Sequence, residues 1–298
     1  MLTPLLPRAC FAHQSRANRW PLALTLGVIL LWLAVLLPLR QALAVTPPLS
    51  SPVKKLFVAS HIDDFLIAME DKKSLLIRMS RNLPGSQPPV ATEEAATTAM
   101  FADIFVKEQM SAVAQDYLVQ HYDPVVAQGA LAFARTPMAA RLILLEAEAS
   151  LPEHREAMRD YLNTMQNHIP SQQRVATLYQ LDSLTHSSRW MASILQLIAS
   201  GLETQVQSKT EYKLINKDRL VELINGLKEQ SKTYLESRPG VQFLAYAYRD
   251  VPDATLADYA QQLQTKEAAW FMKVTKKALI EAIKPSINLY TARFVEQL

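Results

Sequence analysis

Glu146 and Glu148, two residues apart in "RLILLEAEAS" (141–150), are the carboxylates that first suggest acid–base chemistry. A carboxyl pair works as general acid and base only when both groups face one substrate. On a helix, residues two apart diverge by about 200°, so these two do not share a substrate or a metal. The spacing makes Glu146 a rim carboxylate with a partner in neighbouring helices and Glu148 a solvated one. Glu146 alone stays open as a candidate catalytic acid in a cleft.

Two histidine pairs are spaced to put both side chains on one helix face: His61 with Asp64 (i, i+3), and Asp182 with His186 (i, i+4). A catalytic zinc usually takes three protein ligands, and the chain has neither a His-Glu-x-x-His helix nor the paired Glu-x-x-His elements of a di-iron bundle. Surface or capping roles are therefore expected, and no metal. No Gly-x-Ser-x-Gly elbow, phosphate loop or dinucleotide fingerprint occurs, and with 6 glycines in 298 residues phosphate-cradling loops have little to be built from. No cofactor is implied. Phe243, Tyr246, Tyr248 and Tyr259 admit two readings: core packing between the last helices, or the wall of an apolar groove for a ligand or partner.

These residues must be positioned by helices. Leu, Ala, Gln, Glu and Lys fill the periodic stretches, which lose little side-chain entropy in a helix, and alternating β-branched runs are missing. Apolar residues recur at helical steps from Val53 to Met69 and again over Leu75–Met79, up to a loop at 82–92. Thr92, followed by two glutamates, opens a helix expected over 93–120. Asp123-Pro124 and Thr136-Pro137 are each a cap followed by a proline at the first helical position, where its missing N–H costs nothing. Thr136 and Pro137 thus mark a structural bend, after which Met138, Leu142, Leu145 and Ala149 form a stripe with Glu146 at its edge. Further helices are expected over 152–168, over 171–206 with a possible break at Ser187-Ser188, over 214–236 ending at Pro239-Gly240, in a short apolar stretch before Tyr248, from Asp253, and in a last stripe ending before Pro285.

"DPVVAQGALAFARTPMAARLILLE" (123–146) carries an acidic cap, a helix ending in an aromatic, Thr-Pro, small residues and Leu-Glu. This resembles a group of exported, all-helical bacterial proteins of unknown function, which tend to have Ser-Pro at Thr136-Pro137 and a glycine near Ala139 or Ala140. "YRDVPDATLADY" (248–259) is similar to the start of a second copy found in longer members; Lys266-Glu267 replaces the Ser-Pro element there, so the second bend lacks its sequence device. The resemblance spans about 120–290 and implies an exported helical fold, with no activity or catalytic residue to carry over. Aligning 123–141 with 253–271 repeats only an aspartate and three alanines.

The first 44 residues have the layout of an export signal: Arg8, Arg16 and Arg19 without an acid, an apolar segment from Trp20 to Leu39, and Ala42-Leu43-Ala44 as a cleavage site. Cleavage after Ala44 is expected. The alternative is a retained anchor, since 20 apolar residues can span a bilayer; either way, the arginines keep the N-terminus inside and send 45–298 across. Cys10, the one cysteine, precedes the apolar segment, so the exported body has no thiol and must hold by packing. The formal charge of +3 also belongs to the leader: its four arginines removed, residues 45–298 carry about −1, without the basic stripe nucleic acid would require.

The sequence therefore predicts a signal peptide or anchor (1–44), a Pro- and Ser-rich linker (45–52) and a helical domain (53–298) of roughly eight to ten helices. The domain is expected to be an all-α multi-helix bundle of packed hairpins, with related halves at 53–169 and 170–298 as one option. The expected role is a periplasmic, non-enzymatic one: binding an envelope protein or an apolar or cell-wall ligand. Two other readings stay open, an envelope hydrolase using Glu146 and an anchored component of an inner-membrane assembly.

Overall fold

Residues 51–71, 103–165, 170–208 and 217–296 are described by the computed structural model. The leader with Cys10, the Leu75–Met79 run, the 82–92 loop and the Thr92 cap lie outside the described residues. The described part, within the compact unit Leu49–Leu298, contains twelve α-helices and no strand. The protein is an all-α multi-helix bundle. Among the described residues, no helix is long and apolar enough to cross a membrane.

The first helix, α1 (Ser51–Ala59), takes in Ser51 and Pro52, which were expected in the linker; a proline in the first turn breaks no intrahelical bond. The chain turns at His61, with φ 51°, into α2 (Ile62–Asp71). Of the expected 93–120 helix, residues 93–102 lie outside the described residues, and 103–106 form a turn before α3 (Lys107–Gln120). Ile104 and Phe105 in that turn are buried, so their helix-like spacing reflects a turn plugged into the core. Arg293, near the far end of the chain, holds both Asp103 carboxylate oxygens at 2.5 and 3.0 Å.

Asp123 accepts from the Val125 and Val126 amides and starts α4 (Pro124–Ala134); Thr136 accepts from the Ala139 amide and starts α5 (Pro137–Ser150). A single 3-10 turn at Pro152–His154 leads into α6 (Arg155–Met165). The long 171–206 pattern divides at His186, whose φ of 58° ends α7 (Gln172–Thr185) and lets α8 (Ser187–Ser208) begin. After α9 (Lys217–Ser237), Pro239 and Gly240 do not merely end a helix: Arg238 takes φ 48° and Pro239 opens α10 (Pro239–Ala247). Next come α11 (Asp253–Gln262) and α12 (Lys266–Glu296).

The last helix does not stop before Pro285. It runs 31 residues, about 46 Å at 1.5 Å per residue, with Pro285 inside it. An interior proline costs roughly 3 kcal/mol. Here Ile283, Ile287, Tyr290, Thr291 and Phe294 beyond or beside it are all buried, and that burial outweighs the lost hydrogen bond. This helix is the spine of the bundle, packing against α3, α4 and α8. It thus touches helices of both the 53–169 and the 170–298 segments.

The start of α12 has a second Thr cap. Thr265 accepts from the Ala268 amide at 3.3 Å and donates to the Gln262 carbonyl at 2.8 Å, as Thr136 accepts from Ala139 at 3.2 Å and donates to Phe133 at 2.8 Å. The device that Lys266-Glu267 seemed to have replaced is present one residue earlier, without the proline.

Candidate functional site

α5 turns a mixed face of small, apolar and acidic residues inward. Its buried face is Ala139, Leu142, Ile143, Glu146 and Ala147, while Met138 and Leu145 of the expected stripe are only half-buried. Glu146 consequently lies in the core, 2% exposed, and is not a rim carboxylate. Its partners do come from neighbouring helices, and Glu148 is exposed as expected.

Tyr248, the residue that ends α10, donates its hydroxyl to Glu146 Oε1 at 2.5 Å. Arg174 on α7 fixes this tyrosine from the other side, donating to the carbonyls of Tyr248 (2.6 Å) and Val251 (3.0 Å) and pairing with Asp253. The second Glu146 oxygen, Oε2, is 4.0 Å from Lys276 Nζ on α12. Lys276 also lies over the Phe65 ring, 4.9 Å from its centroid, a cation–π contact. Tyr259 on α11 is fully buried near the same carboxylate, stacks on Phe133 at 6.2 Å, and among the described residues its hydroxyl has no hydrogen-bond partner.

Burial pushes the Glu146 carboxyl above its ordinary value, opposed by the Lys276 charge and the Tyr248 hydrogen bond. Burial holds the Lys276 ammonium below its ordinary value, opposed by Glu146. The Tyr248 and Tyr259 hydroxyls are pushed well up, by burial first and by the Glu146 charge second, so both remain protonated donors at neutral pH.

Two cavities meet at Lys276. One, of about 20 Å³, is lined by Glu146, Ser60, Thr275 and Lys276 and has room for about one water. The other, of about 250 Å³, is walled mainly by apolar side chains, including Met69, Met158, Leu162, Trp190 and Phe243. Phe65 and Lys276 line both. Glu146 thus borders only the smaller space, too small for a substrate.

The four aromatic residues separate. Phe243 lines the larger cavity. Tyr246, Tyr248 and Tyr259 are in the core, at most 1% exposed, where they offer no surface to a partner. Tyr246 lies within hydrogen-bond reach of His154 Nδ1 at 3.1 Å and packs under Arg249, whose guanidinium is 4.4 Å from the ring centroid. His61 Nδ1 and Asp64 Oδ2 meet at 2.8 Å within their own turn. Asp182 Oδ1 accepts from the Ser188 amide at 2.8 Å and so caps α8. Among the described residues, no three metal-ligating side chains gather.

Lys276 carries no motif in the sequence and was not among the expected site residues. A signal was present: Lys276 shares a helix face with Met272 and Leu279, both buried. No protein-family model, curated protein or solved structure matches the chain. The resemblance seen at 123–146 and 248–259 therefore stands on those residues alone.

Proposed function

We propose that residues 45–298 form a non-enzymatic binding module of the bacterial periplasm that takes a small, largely apolar ligand between its helices. The observation that carries this reading is the 250 Å³ cavity, walled by side chains of α2, α5, α6, α8, α9, α10 and α12. Small-molecule sites are concave, mostly apolar and equipped with few polar groups, and bundles place them between helices. This cavity falls just under the usual range of about 300–1,000 Å³, which points to a ligand smaller than a typical drug.

Export is proposed from the arginines, apolar segment and Ala42-Leu43-Ala44 of the leader. The hydrolase reading has less support: Glu146 has one oxygen occupied by Tyr248 and borders a space for about one water.

Native mass spectrometry of the protein taken from its own cell envelope tests both parts at once. The expected species begins at Val45 and carries a retained small molecule that is lost on denaturation. A full-length chain that needs detergent, free of any adduct even when gently ionised, would replace this reading with that of an anchored assembly component.

A further inference from the structure

Within that binding reading, we propose that the ligand is a small amphiphilic carboxylate, its head seated on Lys276 and its apolar body lying along Met69, Trp190 and Phe243. Lys276 is the cation at the inner end of the cavity, its side chain 12% exposed; Arg155, the other lining cation, is exposed at the outer side. An ammonium has three donors. Among the described residues the Lys276 ammonium has no hydrogen bond: its nearest carboxylate oxygen is 4.0 Å away, beyond bonding distance, and the Phe65 ring face meets it on another side.

A buried cation without close acceptors is costly, and an incoming anion offsets that cost directly. A hydroxyl head would accept one hydrogen bond and add no charge beside the ammonium, whose one nearby anion, Glu146, stands 4.0 Å off. A cationic head would be repelled, and Phe65, the aromatic face beside the lysine, is already engaged. A phosphate dianion brings more negative charge than one buried lysine matches, whereas a carboxylate monoanion is matched by it when the neighbouring Glu146 carboxyl, pushed up by burial, takes up a proton. The volume of about 250 Å³ calls for a short chain, and an eight-carbon one serves as the probe.

Octanoate, octanol and octylamine, of equal chain length, are the probes, titrated calorimetrically at neutral pH into the protein delipidated beforehand. Octanoate is expected to bind at least about tenfold more tightly than octanol, a difference equivalent to 1.4 kcal/mol, with octylamine silent. Because Lys276→Met alone strands Glu146 in the core, the test variant is the double substitution Lys276→Met with Glu146→Gln, which removes both charges together. It should lose the octanoate preference and keep octanol binding. Equal binding of octanoate and octanol, unchanged in the double variant, overturns the carboxylate inference while the apolar-cavity reading stands. Preference for octylamine overturns it as well. If none of the three binds, the carboxylate inference fails, and the wider reading then falls only if native spectra of the envelope protein also lack an adduct.

Discussion

The hydroxyl of Tyr248 meets Glu146 Oε1 at 2.5 Å, joining the end of one helix to the middle of another across 102 residues of chain. Both groups are buried, and the bond is the only neutral donor supplied to that carboxylate among the described contacts. Removing the hydroxyl leaves a buried carboxyl oxygen unsatisfied. Tyr248→Phe is therefore expected to lower stability by about 1–3 kcal/mol in urea unfolding, with the helical signal of the folded state retained. A change below about 0.5 kcal/mol would mean that the bond has no energetic role.

The Glu146 carboxyl, held above its ordinary value of 4.5 mainly by burial, fixes the sign of one pH effect. A carboxyl raised in the folded state binds its proton more tightly there than when unfolded. Its contribution is fully present below 4.5 and is lost as pH rises through the higher folded value. Urea midpoints measured from pH 4 upward should consequently fall more steeply with pH in the wild type than in Glu146→Gln. The opposite ordering would show a carboxyl held low by Lys276.

Gly240 is packed so closely that a Cβ there would overlap Asp182 Oδ1 and come within 2.5 Å of the Ser188 amide nitrogen. The same junction holds the α8 cap and the bond from the Gly240 amide to Ser188 Oγ at 2.9 Å. Gly240→Ala should cost about 3 kcal/mol, combining overpacking with damage to the cap. Gly226, with open space around its Cβ position in the middle of α9, is the control: Gly226→Ala should raise stability by about 0.5–1 kcal/mol. Chemical denaturation of the two variants checks both signs.

Thr136 and Thr265 make matching pairs of bonds at the starts of α5 and α12. Each alanine substitution should cost about 1 kcal/mol, and the double variant the sum of the two if the caps act independently. Equal thermal-midpoint shifts would support the two starts being equivalent; a loss confined to Thr136→Ala would make Thr265 incidental.

Phe243 and Tyr246 are three residues apart but differ in burial, one half-buried on the cavity and the other 1% exposed. Tyr246→Ala should cost about 3–5 kcal/mol as a core truncation, and Phe243→Ala clearly less. Octanoate binding should weaken in Phe243→Ala at temperatures where that variant remains folded. If binding is unchanged, the ligand lies elsewhere.

Where local chemistry decides, the sequence alone was sufficient. Asp123-Pro124 and Thr136-Pro137 start helices because the cap, the proline and the first-turn amides are all within four residues of one another. The Thr265 cap is equally local but lacks the proline that marks the other two. The all-α class followed from the same short-range preferences, summed over many residues. The continuation of α12 through Pro285, the entry of Glu146 into the core and the placing of Lys276 between two cavities depended instead on partners more than a hundred residues away or on burial summed along a helix. A helix face shows which side chains share a direction; which direction is inward is settled only when neighbouring helices compete for it, and that competition put a carboxylate and an ammonium where periodicity would place leucines.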